Sequence, residues 1–314
     1  VLPNKSVLAT AFKFLRFYQA SGFQSIVKRL GILSFLPSKI AQMENMLPKL
    51  RSATYPSSGL TSVPGEGSIR AKVSLFSGCI MPLVFGSVNK ATVNVLSRNG
   101  CDVAIPQNQG CCGALNVHSG ENKTAQRMAR RNIDAFDLDS TDAIVINSAG
   151  CGAMLKEYQE LLKHDDLYRE RAGAFSAKVK DVSEFLVALP IIPPSVPINK
   201  KVTYQDSCHL AHAQGIKNQP RKLLDSIPGL ELVEMASSDR CCGAAGIYNI
   251  LQREASKQML DSKMEDVNAT NAELVATANP GCMLQLDLGL MEAGRSDRSY
   301  HVVELLDKAY KSPE

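Results

Sequence analysis

From residue 72 onward the chain alternates between two kinds of patterning. Short runs of apolar and β-branched residues are followed by longer stretches in which apolar positions recur every three or four residues. The first half reads as a strand over 72–77, a helix over 87–99 closed by Gly100, a strand over 101–106, a helix over 121–136, a strand over 142–147 and a helix from about 153 to 163. The second half repeats that order, with strands at 201–205, 230–234 and 273–278 and helices at 217–226, about 251–265 and 283–291. Strands alternating with helices are joined by right-handed crossovers, which makes the sheets parallel. The expected fold is α/β, with two tandem duplicated Rossmann-like domains built on small parallel sheets. A proline-rich stretch over 190–197 separates the halves and puts the domains at 71–195 and 196–314.

Residues 1–70 follow a different pattern. Val7, Leu8, Phe12, Leu15, Phe17, Ile26 and Leu30 recur at roughly helical spacing among Lys5, Lys13, Arg16, Lys28, Arg29 and Lys39, and no acidic residue precedes Glu44. This predicts a helical N-terminal connector, a pair of helices packed on the body or on a neighbouring chain. A membrane-surface element, giving peripheral membrane association, is the second reading. Within it, Tyr55-Pro56-Ser57-Ser58-Gly59 and Pro64-Gly65-Glu66-Gly67 mark 51–70 as a flexible connector. No apolar run reaches the roughly 18 residues of a membrane-spanning helix. Because residue 1 is Val rather than Met, a fragment or processed product is expected, and a targeting signal is not readable.

Length and composition narrow the chemistry. With 314 residues and 45% hydrophobic content the chain can fill two ordinary cores, and a net charge of +4 argues against nucleic acid as a partner. The nine cysteines carry the strongest signal. Cys79, then Cys111-Cys112-Gly113, then Cys151 is repeated as Cys208, then Cys241-Cys242-Gly243, then Cys282. The lone cysteine and the pair are separated by 31 residues in one copy and 32 in the other, and the glycine and last cysteine by 37 and 38. An odd count and two adjacent pairs, whose sulfurs diverge, fit metal-bound thiolates in a reducing compartment better than disulfides. Four thiolates around one point suit an iron–sulfur cluster or a zinc ion.

The expected fold turns that spacing into a mechanism. Loops leaving parallel strands emerge on one edge of the sheet, where ligands collect. Each cysteine of the repeat is expected in such a loop, with Gly113 and Gly243 letting the paired sulfurs turn inward. Helix N-termini at the same edge favour an anionic centre. Cys101 lacks a counterpart and reads as a buried free thiol. His209, His212 and His118 lie near the cysteines and read first as satisfied loop histidines, second as hydrogen-bond partners of cluster sulfur. His164 and His301 read as surface or helix-end residues, and Lys156, Glu157 and Tyr158 as an exposed helix face. Neither a Gly-x-Gly-x-x-Gly turn after a strand nor a Walker lysine loop is present, so no flavin, nicotinamide or nucleotide site is expected on this chain.

At these residues the chain resembles the cysteine-rich "CCG domain" family, which includes a subunit of the heterodisulfide reductases and the iron–sulfur subunits of glycolate oxidases. The likeness is carried by SAGCGAMLKEY (148–158), CHLAHA (208–213), CCGAAGIY (241–248) and ATANPGC (276–282), and covers about 70–310. It implies [4Fe–4S] clusters, or zinc at one or both sites, held by Cys79, Cys111, Cys112 and Cys151 and by Cys208, Cys241, Cys242 and Cys282. It further implies an electron-transfer subunit in the cytoplasm or at the inner face of the cell membrane. A flavin-containing partner would oxidise glycolate, or a related substrate such as lactate or glycerol 3-phosphate. Electrons would pass through this subunit toward quinone or another acceptor. Residues 1–70 resemble the connector that follows a ferredoxin-like domain in such subunits. Two other expectations are a zinc-binding scaffold and a heterodisulfide or thiol reductase. Heterodisulfide reductase motifs end in Cys-x-x-Cys, where this chain has Met154 and Gln285, so the five-thiolate noncubane centre is not expected.

Overall fold

The computed structural model describes residues 5–31, 44, 50, 53–57, 59–296 and 298–311. Two α/β units follow a helical N-terminus, as the patterning predicts. In the first unit β1 (Ser62–Val63), β2 (Ala71–Leu75), β3 (Cys101–Ala104), β4 (Ala143–Ile146) and β5 (Val179–Asp181) lie in the order β1-β3-β2-β4-β5. In the second, β6 (Lys200–Tyr204), β7 (Leu230–Leu232), β8 (Leu274–Thr277) and β9 (Ser299–His301) lie in the order β7-β6-β8-β9. Every pairing is parallel except β1 with β3, so the two parallel sheets share one doubly wound order. β4 and β8 are buried at every position, which explains why AIVI and LVAT read as continuous apolar runs rather than alternating ones.

The fourth parallel strand of each sheet was not legible in the sequence. β5 and β9 are three residues long, and each ends directly in a helix, Val182–Ala188 and Val302–Tyr310. Asp181 and His301 cap these helices, Asp181 accepting from Ser183 N at 2.8 Å and His301 Nδ1 accepting from Val303 N at 3.2 Å. Glu184 and Glu304 close the reciprocal bonds of a capping box. His301 is therefore a helix-end residue, but it is fully buried and not a surface one.

The units lock together through those two helices. Val302–Tyr310 packs on Gly86–Arg98 of the first unit, and Val182–Ala188 packs on Asn218–Asp225 of the second. The exchange is reciprocal and merges both sheets into one apolar cluster containing Val73, Val88, Leu96, Val202, Leu224 and Leu306. Ser87 Oγ donates to Glu304 at 3.0 Å and Asn94 Nδ2 to Asp307 at 3.2 Å across the seam.

At the N-terminus, Lys5–Ala20 and Phe23–Arg29 are helices, and Arg16 donates to the Leu83 carbonyl at 3.3 Å. Leu8 and Val27 are buried, whereas Phe17, Ile26 and Leu30 face outward, so only part of the predicted apolar face packs on the body. The connector is not merely flexible, because its β1 extends the first sheet along β3. Lys39 and residues 51, 52 and 58 lie outside the described residues.

Truncating Leu306 to Ala, at 0% exposure in the seam, should cost about 2–5 kcal/mol in a denaturant titration. Leu167→Ala, at 82% exposure, should stay within about 0.5 kcal/mol.

Candidate metal centres

The first set of sulfurs is assembled from three consecutive β-to-α connections. Gln109 ties the loop after β2 to the loop after β3. Its carbonyl accepts from Ser77 N at 2.7 Å, and its amide donates to the carbonyls of Leu75 and Pro106 at 3.0 and 2.8 Å. Cys79 thus starts from an anchored turn. Beyond β3, Gly113 takes φ +87°, a left-handed conformation that reverses the chain after the paired cysteines and aims its N–H at Cys111 Sγ, 3.5 Å away. From the helix Asn122–Ala135, Asn132 accepts from Gly110 N at 2.7 Å and donates to Cys111 O and the Tyr158 hydroxyl at 2.9 and 2.8 Å. The Tyr158 hydroxyl in turn donates to Cys112 O at 2.9 Å. Cys151 stands in the first turn of the helix Ala149–Lys156, its sulfur accepting from Cys112 Sγ at 3.3 Å.

The second set repeats this frame with different supports. Cys208 caps a short π-helical turn, His209–Ala213, and its sulfur lies 3.6 Å from His209 Nδ1. Gly243 also takes φ +87° and donates to Cys241 Sγ at 3.4 Å. Ser256 Oγ donates to Gly243 O at 2.9 Å and accepts from Gln285 Nε2 at 3.1 Å. Cys282 opens the helix Pro280–Glu292, with Asn279 Nδ2 donating to its sulfur at 3.6 Å.

Within the first set Cys112 Sγ bonds to Cys151 Sγ, and in each set the neighbouring thiols shift one another's protonation. The neighbouring Cys112 and Cys79 thiols and the Gly113 N–H hold the Cys111 thiol down to about 3 against the opposing effect of burial. Cys241 is held down to about 2 by the Cys208 and Cys242 thiols and Gly243 N–H. Cys151 and Cys282 are also lowered, chiefly by the thiols of Cys112 and Cys242. Cys79, Cys112, Cys208 and Cys242 are raised, first by the neighbouring sulfurs and then by burial. Among the described residues no three His, Cys, Asp or Glu side chains stand in the arrangement of a bound ion. All nine cysteines are free thiols, so the donor chemistry of both sets, thiolate-rich and shielded, fits a thiophilic metal or cluster.

Several sequence expectations change here. Cys151 and Cys282 lie in helical first turns rather than in loops, because the helices begin at Ala149 and Pro280. That places both cysteines at the positive end of a helix dipole. Tyr158 is not on an exposed face; it is fully buried and stacks on Phe175 at 5.5 Å. Lys156 pairs with Glu184 at 2.7 Å, and Glu157 is exposed. Cys101 is a buried thiol on β3, pushed up to about 11 by desolvation. His118 and His209 meet across the seam with ring centroids 6.1 Å apart, while His212 and His164 are exposed. Met154 and Gln285 are both buried one turn beyond the last cysteine. Sequence reasoning missed Gln109, Asn132 and Lys263. The available signal was a polar residue on the buried face of an amphipathic helix for the latter two.

Two α/β units that each direct one, two and one cysteines to the same sheet edge define a tandem cysteine-rich protein. The cysteine-rich domain family, CCG, matches residues 73–156 and 202–287, and the linker region of the glycolate oxidase iron–sulfur subunit matches 1–47. The chain belongs to the cysteine-rich CCG-domain family. It is 43% identical over 313 residues to the probable glycolate oxidase iron–sulfur subunit of Bacillus subtilis, covering 98% of this chain and 70% of that one. It is 33% identical over 237 residues to lactate utilization protein A of Geobacillus sp., covering 75% and 99%. A crystal structure of a hypothetical protein from Helicobacter pylori shares the fold, with TM-score 0.57, 11% identity and coverage of 96% and 67%.

The two glycines should respond differently to a methyl group. A Cβ on Gly243 would sit 2.5 Å from the Ser256 carbonyl oxygen, whereas one on Gly113 meets nothing closer than 3.4 Å. Both variants pay about 1–2 kcal/mol for the left-handed backbone. Gly243→Ala should therefore lower the thermal midpoint clearly more than Gly113→Ala.

Proposed function

We propose that this chain is an iron–sulfur electron-transfer subunit of a 2-hydroxy-acid oxidase, with glycolate as the favoured substrate of the complex. In this reading 71–195 and 196–314 are the two cysteine-rich domains, and 1–70 connects them to the remainder of the assembly. Cys79, Cys111, Cys112 and Cys151 hold one [4Fe–4S] cluster, and Cys208, Cys241, Cys242 and Cys282 hold the other. A cluster supplies a one-electron relay when bound. The chain's own residues then have defined work. The eight cysteines provide thiolates, Gly113 and Gly243 direct N–H groups at sulfur, and Asn132, Tyr158, Ser256 and Gln285 fix the loops. A flavin-containing partner accepts the hydride from the hydroxy acid, and quinone or another acceptor takes the electrons onward. The complex is placed in the cytoplasm or at the inner face of the cell membrane. Among the described residues no helix is long and apolar enough to cross a membrane.

The observation that carries this reading is the duplicated delivery of one, two and one cysteines to the same edge of each parallel sheet, with Cys112 Sγ 3.3 Å from Cys151 Sγ in the first. The likeness to proteins named as glycolate oxidase iron–sulfur subunit and lactate utilization protein A supports the electron-transfer role. That short distance also favours a second reading, structural zinc at the first set. Tetrahedral zinc with bonds of about 2.3 Å brings sulfurs to roughly 3.8 Å of one another.

Anaerobically purified protein should contain iron and acid-labile sulfide for two clusters and give a reduced-state EPR spectrum. Cys79→Ser and Cys208→Ser should each remove one centre, and Cys101→Ser should leave both. A folded, iron-free protein carrying stoichiometric zinc would overturn the electron-transfer reading.

A further inference from the structure

The duplication makes each site a control for the other, and the two differ most in charge. Asn132 stands 21 residues after Cys111, and Lys263 stands 22 after Cys241, each on the helix that follows the paired cysteines. The extra residue falls between pair and helix, because Gly113 faces Ala125 where Gly243 faces Ser256. Asn132 and Lys263 therefore occupy the same place in the fold. Both are completely buried. Asn132 holds its loop with a neutral amide. Lys263 holds its own with an ammonium that donates to Ser237 O at 2.6 Å and Ser238 O at 3.3 Å, in the segment leading to Cys241.

The acids that face this charge are shared or screened, and burial itself lowers the Lys263 pKa. Asp266, the nearest acid on the same helix, is engaged by Arg240 at 3.4 Å, and Asp239 is exposed, where water screens it. The Lys263 ammonium acts on Cys241, and the Cys242 sulfur acts back on Lys263. At the first set the matching support is the neutral Asn132, and the leading influences on Cys79, Cys111, Cys112 and Cys151 are one another, burial, backbone N–H groups and Ser148. The remaining contrasts run the same way. Met154 and the Phe76, Ile146 and Tyr158 cluster pack around the first set, whereas Gln285, Asn249 and Ser256 form a polar chain beside the second.

We infer that Lys263 sets the order of the two redox centres, making the Cys208–Cys241–Cys242–Cys282 centre the more easily reduced and thus the place where electrons collect. This rests on the iron–sulfur reading above. Adding an electron adds a negative charge, and a fixed cation in a low-dielectric surround stabilises the reduced state over the oxidised one. Asn132 offers no such preference. The direction of transfer inside this subunit then runs from the first domain to the second. Lys263 touches backbone, not the reacting atoms, so it is a positioning and tuning residue.

An EPR-monitored redox titration of the full iron-loaded chain tests this, with the centres assigned through Cys79→Ser and Cys208→Ser. Lys263→Gln keeps a donor for the Ser237 carbonyl and removes the charge. Its second centre should show about a tenfold smaller ratio of reduced to oxidised form at a fixed ambient potential, about 59 mV for one electron, with the first centre unmoved. Lys263→Met, of similar length, is the alternative should the Gln variant fail to load, and Lys263→Arg should retain the parent potential. Loaded variants whose second centre titrates as in the parent, or a parent whose first centre is the higher, would overturn the inference alone. Absence of redox-active iron from both sets would instead overturn the proposed function and this inference with it.

Discussion

In a parallel sheet every strand points the same way, so the chain leaving β2, β3 and β4 opens on one edge, as does the chain leaving β6, β7 and β8. The doubly wound order adds a crevice. From β2 the chain crosses to β3 on one side and then returns over β2 to β4 on the other, leaving a gap between β2 and β4 where no crossover covers the edge. Cys79 follows one strand bordering that gap and Cys151 follows the other. Cys111 and Cys112 arrive from the neighbouring β3. The cysteines collect on that edge because strand polarity and order leave their loops few other places to go. The left-handed glycine then settles a local problem, since adjacent side chains in an extended chain point apart and the chain must reverse after the pair to enter the next helix.

What was legible in the sequence follows from this. Apolar runs flanked by turn residues exposed six of the nine strands among the described residues, and the cysteine spacing pointed to the loops at one edge of each sheet. Three features stayed hidden for physical reasons. Val179–Asp181 and Ser299–His301 are too short to show a period, and their strand character comes from pairing with β4 and β8. Ser62–Val63 is a two-residue antiparallel edge inside a segment rich in Gly and Pro. Tyr158 read as exposed because it follows Lys156 and Glu157, yet a break at Glu157 between two short helices rotates it into the core. Neighbouring residues on a helix need not share a face once the helix is interrupted.

Duplication also explains how the sites could diverge while the frame stayed the same. Tyr158 fills the space beside the first pair, and its hydroxyl holds Cys112 O at 2.9 Å. At the matching place in the second unit stands Gly289, and Met264 and Leu260 close over it so tightly that a Cβ would lie 2.6 Å from Met264 Cγ. Each solution fills its cavity, so packing density is conserved while polarity is not.

The seam between the units makes the pair of sites one device rather than two copies. Reciprocal helix packing removes rotational freedom at one end, and a second contact closes the other end beside the cysteines. Ala149 N donates to Ala278 O at 3.3 Å and Gln214 Nε2 to Ala149 O at 2.9 Å, over a small apolar cluster of Ala149, Leu210, Ile216 and Ala278. Asn279 spans the boundary, accepting from Gly150 N at 3.1 Å while donating to Cys282 Sγ at 3.6 Å. One side chain thus touches the residue before Cys151 and the sulfur of Cys282. Any hinge between the units would have to break that amide and the helix seam together, so the spacing of the two sets is fixed by the same contacts that stabilise the fold. A duplicated domain on a free linker would have supplied the eight thiols equally well, but at a distance that changed with every collision.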